Sequence, residues 1–332
     1  ADTGLACLIR RFTMKKTFLT LLVFCMAGAT LFQSCEDADR PIFPLSATIF
    51  HSIDGKQVAF TALTHSAVSW SWDFGDGNTS IEQNPVYTYE EGGYYLATLT
   101  AKDEDGNSVT DDVKLAIELT PYALLTGDHT ADDYNGKTWK MTASHTASGD
   151  YLANADAGLT VVSGTPKPLP DGIFNTQFQM GDVYKDEFTF YYDGSYKHDV
   201  KEDGASFSGL VYEMVSTGGA GIVNANGQDY GLCIAKYTPQ TGATFTFKES
   251  ENLTVSSVYG PPTYSITFNN VMTLNFSEPE FIGFRDFQRK VILKSISDTR
   301  MQLIMFMAAG TDPVQIIGIN THALVLSFDA VK

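Results

Sequence analysis

Trp72-Asp73-Phe74-Gly75-Asp76-Gly77 is the most informative segment of this 332-residue chain. Apolar residues alternate with polar ones up to this point, and in an extended strand they share one face. They are Val68, Trp70, Trp72 and Phe74. Gly75 and Gly77 then follow, and glycine reaches the positive φ that a tight turn requires. The segment therefore predicts a buried strand that ends in a tight turn.

A second alternating strand follows farther along the chain. Its apolar positions are Tyr95, Ala97, Leu99 and Ala101. Two such faces can pack together and exclude water, which makes Trp72 a core indole rather than a ligand platform. For the carboxylates of Asp73 and Asp76, we expect turn capping rather than binding of a cation.

These residues belong to a longer pattern that continues with Asn84-Pro85-Val86-Tyr87-Thr88-Tyr89 and Gly93-Tyr94-Tyr95. The pattern resembles the signature of the polycystic-kidney-disease (PKD) module, an immunoglobulin-like sandwich found mostly outside cells. The resemblance covers residues 45–119 and implies a spacing and presenting role rather than catalysis. Such modules are often attached to carbohydrate-active or adhesive proteins.

The N-terminal region predicts export. Met14-Lys15-Lys16 is followed by an apolar run from Thr17 to Phe32, which is the length of a signal-peptide core rather than a membrane span. Residues 1–34 are therefore interpreted as a signal peptide with an upstream extension.

A lipid anchor is the next prediction from this region. Leu31-Phe32-Gln33-Ser34-Cys35 resembles a bacterial lipobox, which implies lipidation of Cys35. Glu36-Asp37-Ala38-Asp39 is similar to the surface-export signal of outer-membrane lipoproteins. We expect residues 35–44 to be a lipidated tether and the protein to face the exterior of the outer membrane. In the alternative interpretation the signal peptide is an ordinary one and Cys35 has no such role.

Charge and cysteine content exclude several classes of protein. The net charge of −17 becomes −20 once residues 1–34, with four basic and one acidic residue, are removed. An acidic chain without a basic cluster repels phosphate backbones, so we expect no nucleic-acid partner. Of the four cysteines, the lone Cys233 remains after the leader and Cys35. A disulfide framework is therefore excluded, and the apolar context of Cys233 predicts a buried, inert thiol.

Residues 126–332 are predicted to form a larger all-β domain. The run from Asp186 to Tyr196 contains two alternating segments joined by Asp193-Gly194, a strong hairpin signal. Further predicted strands are Ala243 to Phe247, Leu253 to Val258, Tyr264 to Phe268, Val271 to Phe276, Val291 to Ile296, Met301 to Met307, Val314 to Ile317 and Ala323 to Phe328. This many short strands favour a jelly-roll-type β-sandwich, with Trp139 in its core.

This second region also shows a resemblance. Its motifs are Lys137-Thr138-Trp139, Tyr184 to Phe190 with Asp193-Gly194, and Ala323 to Phe328. They look like the C-terminal domain of PKD-containing lipoproteins from polysaccharide-utilisation (starch-utilisation-type) systems, some of which are surface glycan binders. Where those proteins carry a His-Phe-Gly-type loop, this chain has His145-Thr146-Ala147-Ser148-Gly149.

No catalytic constellation is readable in the sequence. A laminarinase-like glycosidase would carry Glu-x-Asp-x-x-Glu on a strand, so that two carboxylates flank the scissile bond. The acidic pairs Glu104-Asp105, Glu202-Asp203 and Glu278 with Glu280 lie in turns or loops, where solvated charges are expected. The histidines show no zinc-site spacing, and a calcium site would leave no readable motif. We therefore expect no enzyme activity and no cofactor.

Carbohydrate binding needs aromatic faces in loops with a few polar groups beside them. The loop-like contexts nominate five aromatic residues: Tyr134, Tyr151, Phe174, Tyr230 and Tyr259. The favoured hypothesis is a non-catalytic lipoprotein that binds a glycan and serves an outer-membrane TonB-dependent transporter. A glycoside hydrolase-like jelly-roll enzyme and an adhesion or assembly protein that binds another protein remain as alternatives.

Overall fold

The computed structural model describes residues 43–161, 168–310 and 317–332. The predicted signal peptide, Cys35 and nearly all of the tether lie outside the described residues, as does most of the predicted strand at Val314 to Ile317. Strands dominate the described chain and form two bodies, so the all-β prediction is confirmed.

The N-terminal body is a sandwich of two antiparallel sheets. Its strands are β1 (Ser46–Asp54), β2 (Gln57–His65), β3 (Ser69–Asp73), β4 (Thr79–Ser80), β5 (Val86–Thr88), β6 (Gly93–Lys102) and β7 (Ser108–Ile117). One sheet has the order β1-β2-β5 and the other β4-β3-β6-β7. The inner faces of the two sheets enclose one apolar cluster.

Trp72 is the centre of this cluster, as predicted. Its side chain is fully buried, its ring centroid lies 5.0 Å from that of Phe60, and its Nε1 donates a 2.9 Å hydrogen bond to the Glu82 carbonyl. Ala97, Leu99 and Ala101 are also fully buried. The prediction that Val68 shares the buried face of this strand was wrong, because Val68 precedes β3 and is 52% exposed.

The predicted turn after β3 is confirmed. Gly75 and Gly77 have φ of +81° and +90°. The carboxylate of Asp73 accepts from Gly75 N at 2.9 Å, and that of Asp76 accepts from Asn78 N at 3.0 Å. Both acidic side chains therefore cap the turn.

The second body begins after a short helix, α1 (Pro121–Thr126), whose N-cap Thr120 accepts from Ala123 N. Its first strands are β8 (Lys137–Met141), β9 (Tyr151–Asn154), β10 (Glu187–Phe190), β11 (Tyr196–Asp199), β12 (Ala205–Gly209), β13 (Ile222–Asn224) and β14 (Leu232–Lys236). The remaining strands are β15 (Phe245–Ser256), β16 (Ser265–Phe276), β17 (Val291–Ile296), β18 (Arg300–Met307) and β19 (His322–Ala330). The helices between them are α2 (His145–Ser148), α3 (Ile173–Thr176) and α4 (Leu210–Thr217).

The large sheet of this body has the order β11-β10-β8-β19-β18-β17-β16-β15, and β9 pairs with the first half of β19. The sheet curls until its two ends meet, because Tyr196 N donates to Ala243 O and Phe245 N donates to Gly194 O, both at 2.9 Å. A second sheet, β12-β14-β13, packs with it into a curled β-sandwich.

The predicted strands that lie within the described residues form in the structure, but some of them merge. The segments at 243–247 and 253–258 belong largely to β15, and those at 264–268 and 271–276 belong to β16. Lys248, Glu249 and Ser250 between them are exposed. The ladder also shifts register between Lys248 and Leu253, so the local sequence looked like a break between strands.

The strand β18 is buried on both faces. Leu303, Met305 and Met307 point into the main core of the sandwich, while Ile304 and Phe306 join a separate apolar cluster on the other face of the sheet. This double burial explains why the run is almost uninterrupted in hydrophobic residues.

Two core predictions for the second body are confirmed. Trp139 is fully buried, and its Nε1 donates to the Leu125 carbonyl at 2.9 Å. Cys233 is also fully buried, and burial raises the pKa of its thiol to about 12. In the part of the chain that the structure describes, no helix has the length and apolar character needed to cross a membrane.

Candidate functional site

The structure brings together two of the five aromatic residues that the sequence nominated. Phe174 and Tyr230 line the same cavity, at its buried end and at its mouth. Tyr134, Tyr151 and Tyr259 do not line it.

These three tyrosines have other surroundings. Tyr134 is a structural anchor, because its hydroxyl donates to the Thr126 carbonyl at 3.0 Å and accepts from Tyr192 N at 2.8 Å. Tyr151 lies in β9, half-buried, with Lys294 Nζ 5.4 Å from its ring centroid. Tyr259 lies in the loop after β15 and is 46% exposed.

Two loops build the site. One is Gln177-Phe178-Gln179, directly after α3, and the other is the 3-10 turn Gln228–Tyr230, directly before β14. The rings of Phe178 and Tyr230 pack with their centroids 5.0 Å apart, and Asn224 Nδ2 donates to the Gln179 carbonyl at 3.0 Å. We refer to these two loops with Asn226 as the Phe178–Tyr230 surface.

This surface combines an exposed aromatic ring with four amide side chains and one exposed carboxylate, that of Asp229. Tyr230 is 58% exposed, whereas Phe178 is half-buried. The exposed amide side chains are those of Gln177, Gln179, Asn226 and Gln228. Each amide both donates and accepts hydrogen bonds, so the surface can orient a neutral polyhydroxylated ligand against an aromatic face.

A narrow apolar cavity of about 140 Å³ lies beneath the surface. It is lined by Leu152, Leu169, Ile173, Phe174, Gln177, Phe178, Tyr230, Leu232, Met307 and Leu324. Phe174 is 2% exposed, so it contributes a wall of the cavity rather than a stacking platform at the surface.

A buried hydrogen-bond network supports α3 and therefore this surface. Tyr184 OH accepts from Phe174 N at 3.3 Å and lies 2.8 Å from His145 Nε2, while His145 Nδ1 lies 2.8 Å from Asp150 Oδ2. Burial raises the pKa of Tyr184 to about 12, so its hydroxyl keeps its proton. The Asp150 carboxylate also accepts hydrogen bonds from the backbone N–H and the hydroxyl of Ser327. His145–Ser148 is thus a short helix that contributes one buried, structural histidine.

The candidate-site residues that sequence reasoning missed are Phe178 and its flanking amides, Gln177 and Gln179. Phe178 has a glutamine on each side and is followed closely by Met180. This local pattern is typical of a polar loop. The pairing of an aromatic residue with flanking amides was the available signal. This signal could not show that Phe178 packs on Tyr230, because Tyr230 lies in a second loop that is distant in sequence.

The family model for the PKD domain matches residues 47–117. These residues form a PKD domain.

A collagenase and a metalloprotease are each similar to a short part of this chain. Collagenase ColA of Bacillus cereus is 41% identical over 54 residues, which are 16% of this chain and 6% of the collagenase. The pre-pro-metalloprotease PrtV of Vibrio cholerae is 44% identical over 57 residues, which are 17% of this chain and 6% of the protease. The matched part is a small fraction of both relatives, and their protease activity is a property of those proteins.

Two solved structures were compared with the whole chain. The PKD1 domain of the Vibrio cholerae metalloprotease PrtV is 30% identical and covers 23% of this chain and 100% of its own, with a TM-score of 0.23. A structure of carbohydrate-binding modules from the β-sandwich superfamily is 11% identical and covers 88% of this chain and 94% of its own, also with a TM-score of 0.23. Both TM-scores are too low to support a conclusion about fold or ligand.

The PKD domain and the second body border an open groove of about 350 Å³. Tyr94 of the PKD domain lies on one side, and Tyr134 and Asp128 lie on the other. The hydroxyl of Tyr134 already makes two backbone hydrogen bonds, so it is not free to bind a ligand in this groove. We therefore favour the Phe178–Tyr230 surface over the groove as the candidate site.

Most of the acidic pairs are solvated, as predicted. Glu104 and Asp105 are exposed in the turn between β6 and β7 of the PKD domain. Glu202 and Asp203 are exposed after β11, where they line a polar cleft of about 590 Å³ together with Lys140, Asp182, Lys185 and Lys201. Two of these lysines are already paired, Lys201 with Glu187 at 2.6 Å and Lys185 with Asp182 at 2.5 Å.

The prediction for Glu280 was wrong. Glu278 is exposed, but Glu280 is 1% exposed and its carboxylate lies 3.6 Å from His198 Nδ1. The sequence placed it in a solvated loop, whereas the chain enters the core at Glu280 and Phe281, directly after the exposed Pro279, and the Gln240 N–H satisfies one oxygen of Glu280.

His198 lies between two buried carboxylates. Asp186 Oδ2 is 3.8 Å from His198 Nε2, on the opposite side of the ring from Glu280. Burial raises the pKa of Asp186 to about 6. Burial by itself would lower the pKa of His198, but Asp186 and Glu280 outweigh it and raise that pKa. The cluster is enclosed, so it is a structural charge group rather than a pair of carboxylates across a cleft.

Among the described residues, no group of three or more His, Cys, Asp or Glu side chains is arranged to hold a metal ion.

Proposed function

We propose that this protein is a non-catalytic surface lipoprotein that binds an extracellular polysaccharide or oligosaccharide at the Phe178–Tyr230 surface. The observation that carries the proposal is the exposed ring of Tyr230, packed on Phe178 in a surface that also carries four exposed amide side chains. A pyranose ring has an apolar face of C–H groups, which suits an aromatic ring, and an edge of hydroxyl groups, which suits amides.

Rigidity of the surface also supports the proposal. A ligand loses less free energy on binding when its site is already ordered. The aromatic contact joins the two loops, and the Asn224–Gln179 hydrogen bond ties the first loop to the end of β13. The network of His145 and Tyr184 fixes α3 beneath them.

The PKD domain would act as a spacer between the membrane and the binding domain. Lipidation at Cys35 and the acidic residues after it would place the protein on the exterior of the outer membrane. A glycan bound there could be passed to a TonB-dependent transporter complex, which we propose as the partner. The net charge of −17 supports the absence of nucleic acid among its ligands.

The enzyme alternative is weaker because of where the acidic residues lie. Glu202 and Asp203 are adjacent in an exposed turn, and Glu280 faces His198 in the interior. A glycosidase instead needs two carboxylates that flank the scissile bond in a cleft. We therefore propose that the protein has no catalytic activity and needs no cofactor.

A specific observation supports the second candidate, a protein-binding adhesion or assembly role. Phe50, Leu63 and Val86 lie on the outer face of the β1-β2-β5 sheet and are 56%, 55% and 61% exposed. Apolar residues grouped on one face are typical of protein contact surfaces.

Affinity electrophoresis with a panel of soluble polysaccharides would test the glycan proposal. The purified protein should be retarded by at least one polysaccharide, and Tyr230→Ala should weaken this binding about tenfold or more, as expected for a central aromatic anchor. Tyr259→Ala is the matched control, because Tyr259 has similar exposure but lies off the site.

Two results would contradict the proposal. One is a protein that no polysaccharide retards, and the other is an equal loss of binding in Tyr230→Ala and Tyr259→Ala. Binding that survives Tyr230→Ala but is lost in Phe50→Ser would favour the outer face of the PKD domain.

A further inference from the structure

The cavity beneath the Phe178–Tyr230 surface has a chemistry that a sugar ring does not match. Its buried end is formed by Leu232, Met307 and Leu324, which are 5%, 1% and 2% exposed. None of these side chains offers a strong hydrogen-bond partner. A pyranose would have to bury hydroxyl groups there without partners, which is unfavourable. The sugar therefore stays at the surface, and a different chemical group fits the cavity.

Volume and lining both favour an aromatic ring. About 140 Å³ is available, which is close to the ~150 Å³ apolar cavity that accommodates benzene in another protein. Phe174 and Phe178 contribute aromatic walls, and the Met307 side chain contributes a thioether. Ring–ring and sulfur–ring contacts add to simple apolar burial, so they select an aryl group over an aliphatic chain.

We propose that the cavity binds a monocyclic aryl group carried on the glycan, such as an aromatic ester substituent, while the sugar lies against Tyr230. The inference rests on the proposed glycan-binding function and names the class of its ligand. Gln177 and Tyr230 are the polar residues of the cavity lining, and both are exposed at its mouth. They lie where the linkage between the aryl group and the sugar would pass from the apolar interior to the surface.

The test measures the affinity of the purified protein for phenyl and methyl glycosides by isothermal titration calorimetry. The two glycosides of glucose, of galactose and of xylose are compared as pairs. For the sugar that binds, the phenyl glycoside should bind about 10- to 100-fold more tightly, which corresponds to burying one ring. Leu169→Phe adds volume at a half-buried wall position and should remove this preference. Leu124→Phe, at a half-buried position of α1 outside the cavity, should leave it unchanged.

Melting temperatures of both variants would show that they remain folded, and Leu152→Phe provides a second variant of the cavity wall. Equal affinity for phenyl and methyl glycosides, or a preference that survives in the folded Leu169→Phe and Leu152→Phe variants, would overturn the aryl assignment. Retardation by an undecorated polysaccharide without any phenyl preference would refute this inference and leave the glycan-binding function intact. A phenyl preference without retardation by any polysaccharide would support the aryl site and refute the polysaccharide function.

Discussion

Replacing Gly75 with alanine should destabilise the PKD domain far more than the same change at Gly77. Both residues have positive φ, +81° and +90°, so either alanine variant adopts a strained backbone that costs about 1–2 kcal/mol. The two sites differ in what an added Cβ would contact. At Gly75 it would lie 2.5 Å from the Leu96 carbonyl oxygen, whereas at Gly77 no atom lies within 4 Å.

The clash at Gly75 is with backbone of the central strand β6, so it cannot be relieved by rotation of a side chain. Overpacking of this kind costs about 1–3 kcal/mol in addition to the strain. We therefore expect Gly77→Ala to lower the free energy of unfolding of the PKD domain by about 1–2 kcal/mol and Gly75→Ala to lower it by about 2–5 kcal/mol.

Hydrogen exchange at increasing urea, followed by mass spectrometry, would measure the effect within the domain. Peptides from β6 report global opening of the PKD domain, and peptides from β18 in the second body are the internal control. Equal destabilisation by the two alanine variants would refute the role assigned to close approach between the turn and β6. A larger effect at Gly77 would do the same.

Three further outcomes are expected from buried groups in the second body. Arg285→Met should lower the free energy of unfolding, measured in urea, by about 3–5 kcal/mol, because the buried Glu213 carboxylate, 2.5 Å from Arg285 Nη2 in a residue that is 1% exposed, would lose its counter-charge. The double variant Arg285→Met/Glu213→Leu should recover much of this loss. A double variant that recovers none of it would contradict the ion-pair explanation. The pKa of Asp186 is raised to about 6 in the native state, against about 4 in the unfolded chain, so the native state binds a proton on this carboxyl group more tightly. The protonated Asp186 therefore stabilises the fold below pH 4, and this stabilisation is lost as the pH rises through 6. Asp186→Asn should therefore flatten the decline in unfolding free energy between pH 4 and 6 in urea titrations, and an unchanged slope would exclude Asp186 as its source. Cys233, fully buried and with a pKa raised to about 12, should react with a thiol reagent in urea but not in native buffer, and rapid native labelling would show that the core opens.

Local sequence patterns were sufficient for much of the second body. The Asp193-Gly194 turn and its flanking alternation correctly placed the β10–β11 hairpin, because a two-residue turn and its strands are adjacent in the chain. The long β15–β16 hairpin was divided into four pieces, because exposed polar residues and register shifts interrupt its alternation.

The candidate site depended on the tertiary structure to a greater extent. The sequence nominated Phe174 and Tyr230 as aromatic loop residues, but it could not tell that one forms a cavity wall and the other an exposed face. Glu280 shows the same limit, since proline and acidic neighbours predicted solvent and the fold placed its carboxylate beside His198.

By itself, the sequence determined the all-β class, the PKD signature and the buried strand that precedes the turn at Gly75, because each depends on alternation and turn chemistry between neighbouring residues. The tertiary structure alone decided that Phe178 and Tyr230 share a surface above an apolar cavity, and that His198 lies between Asp186 and Glu280. Those contacts join segments far apart in the chain, and burial and charge pairing across such distances are set by how the curled sheet closes.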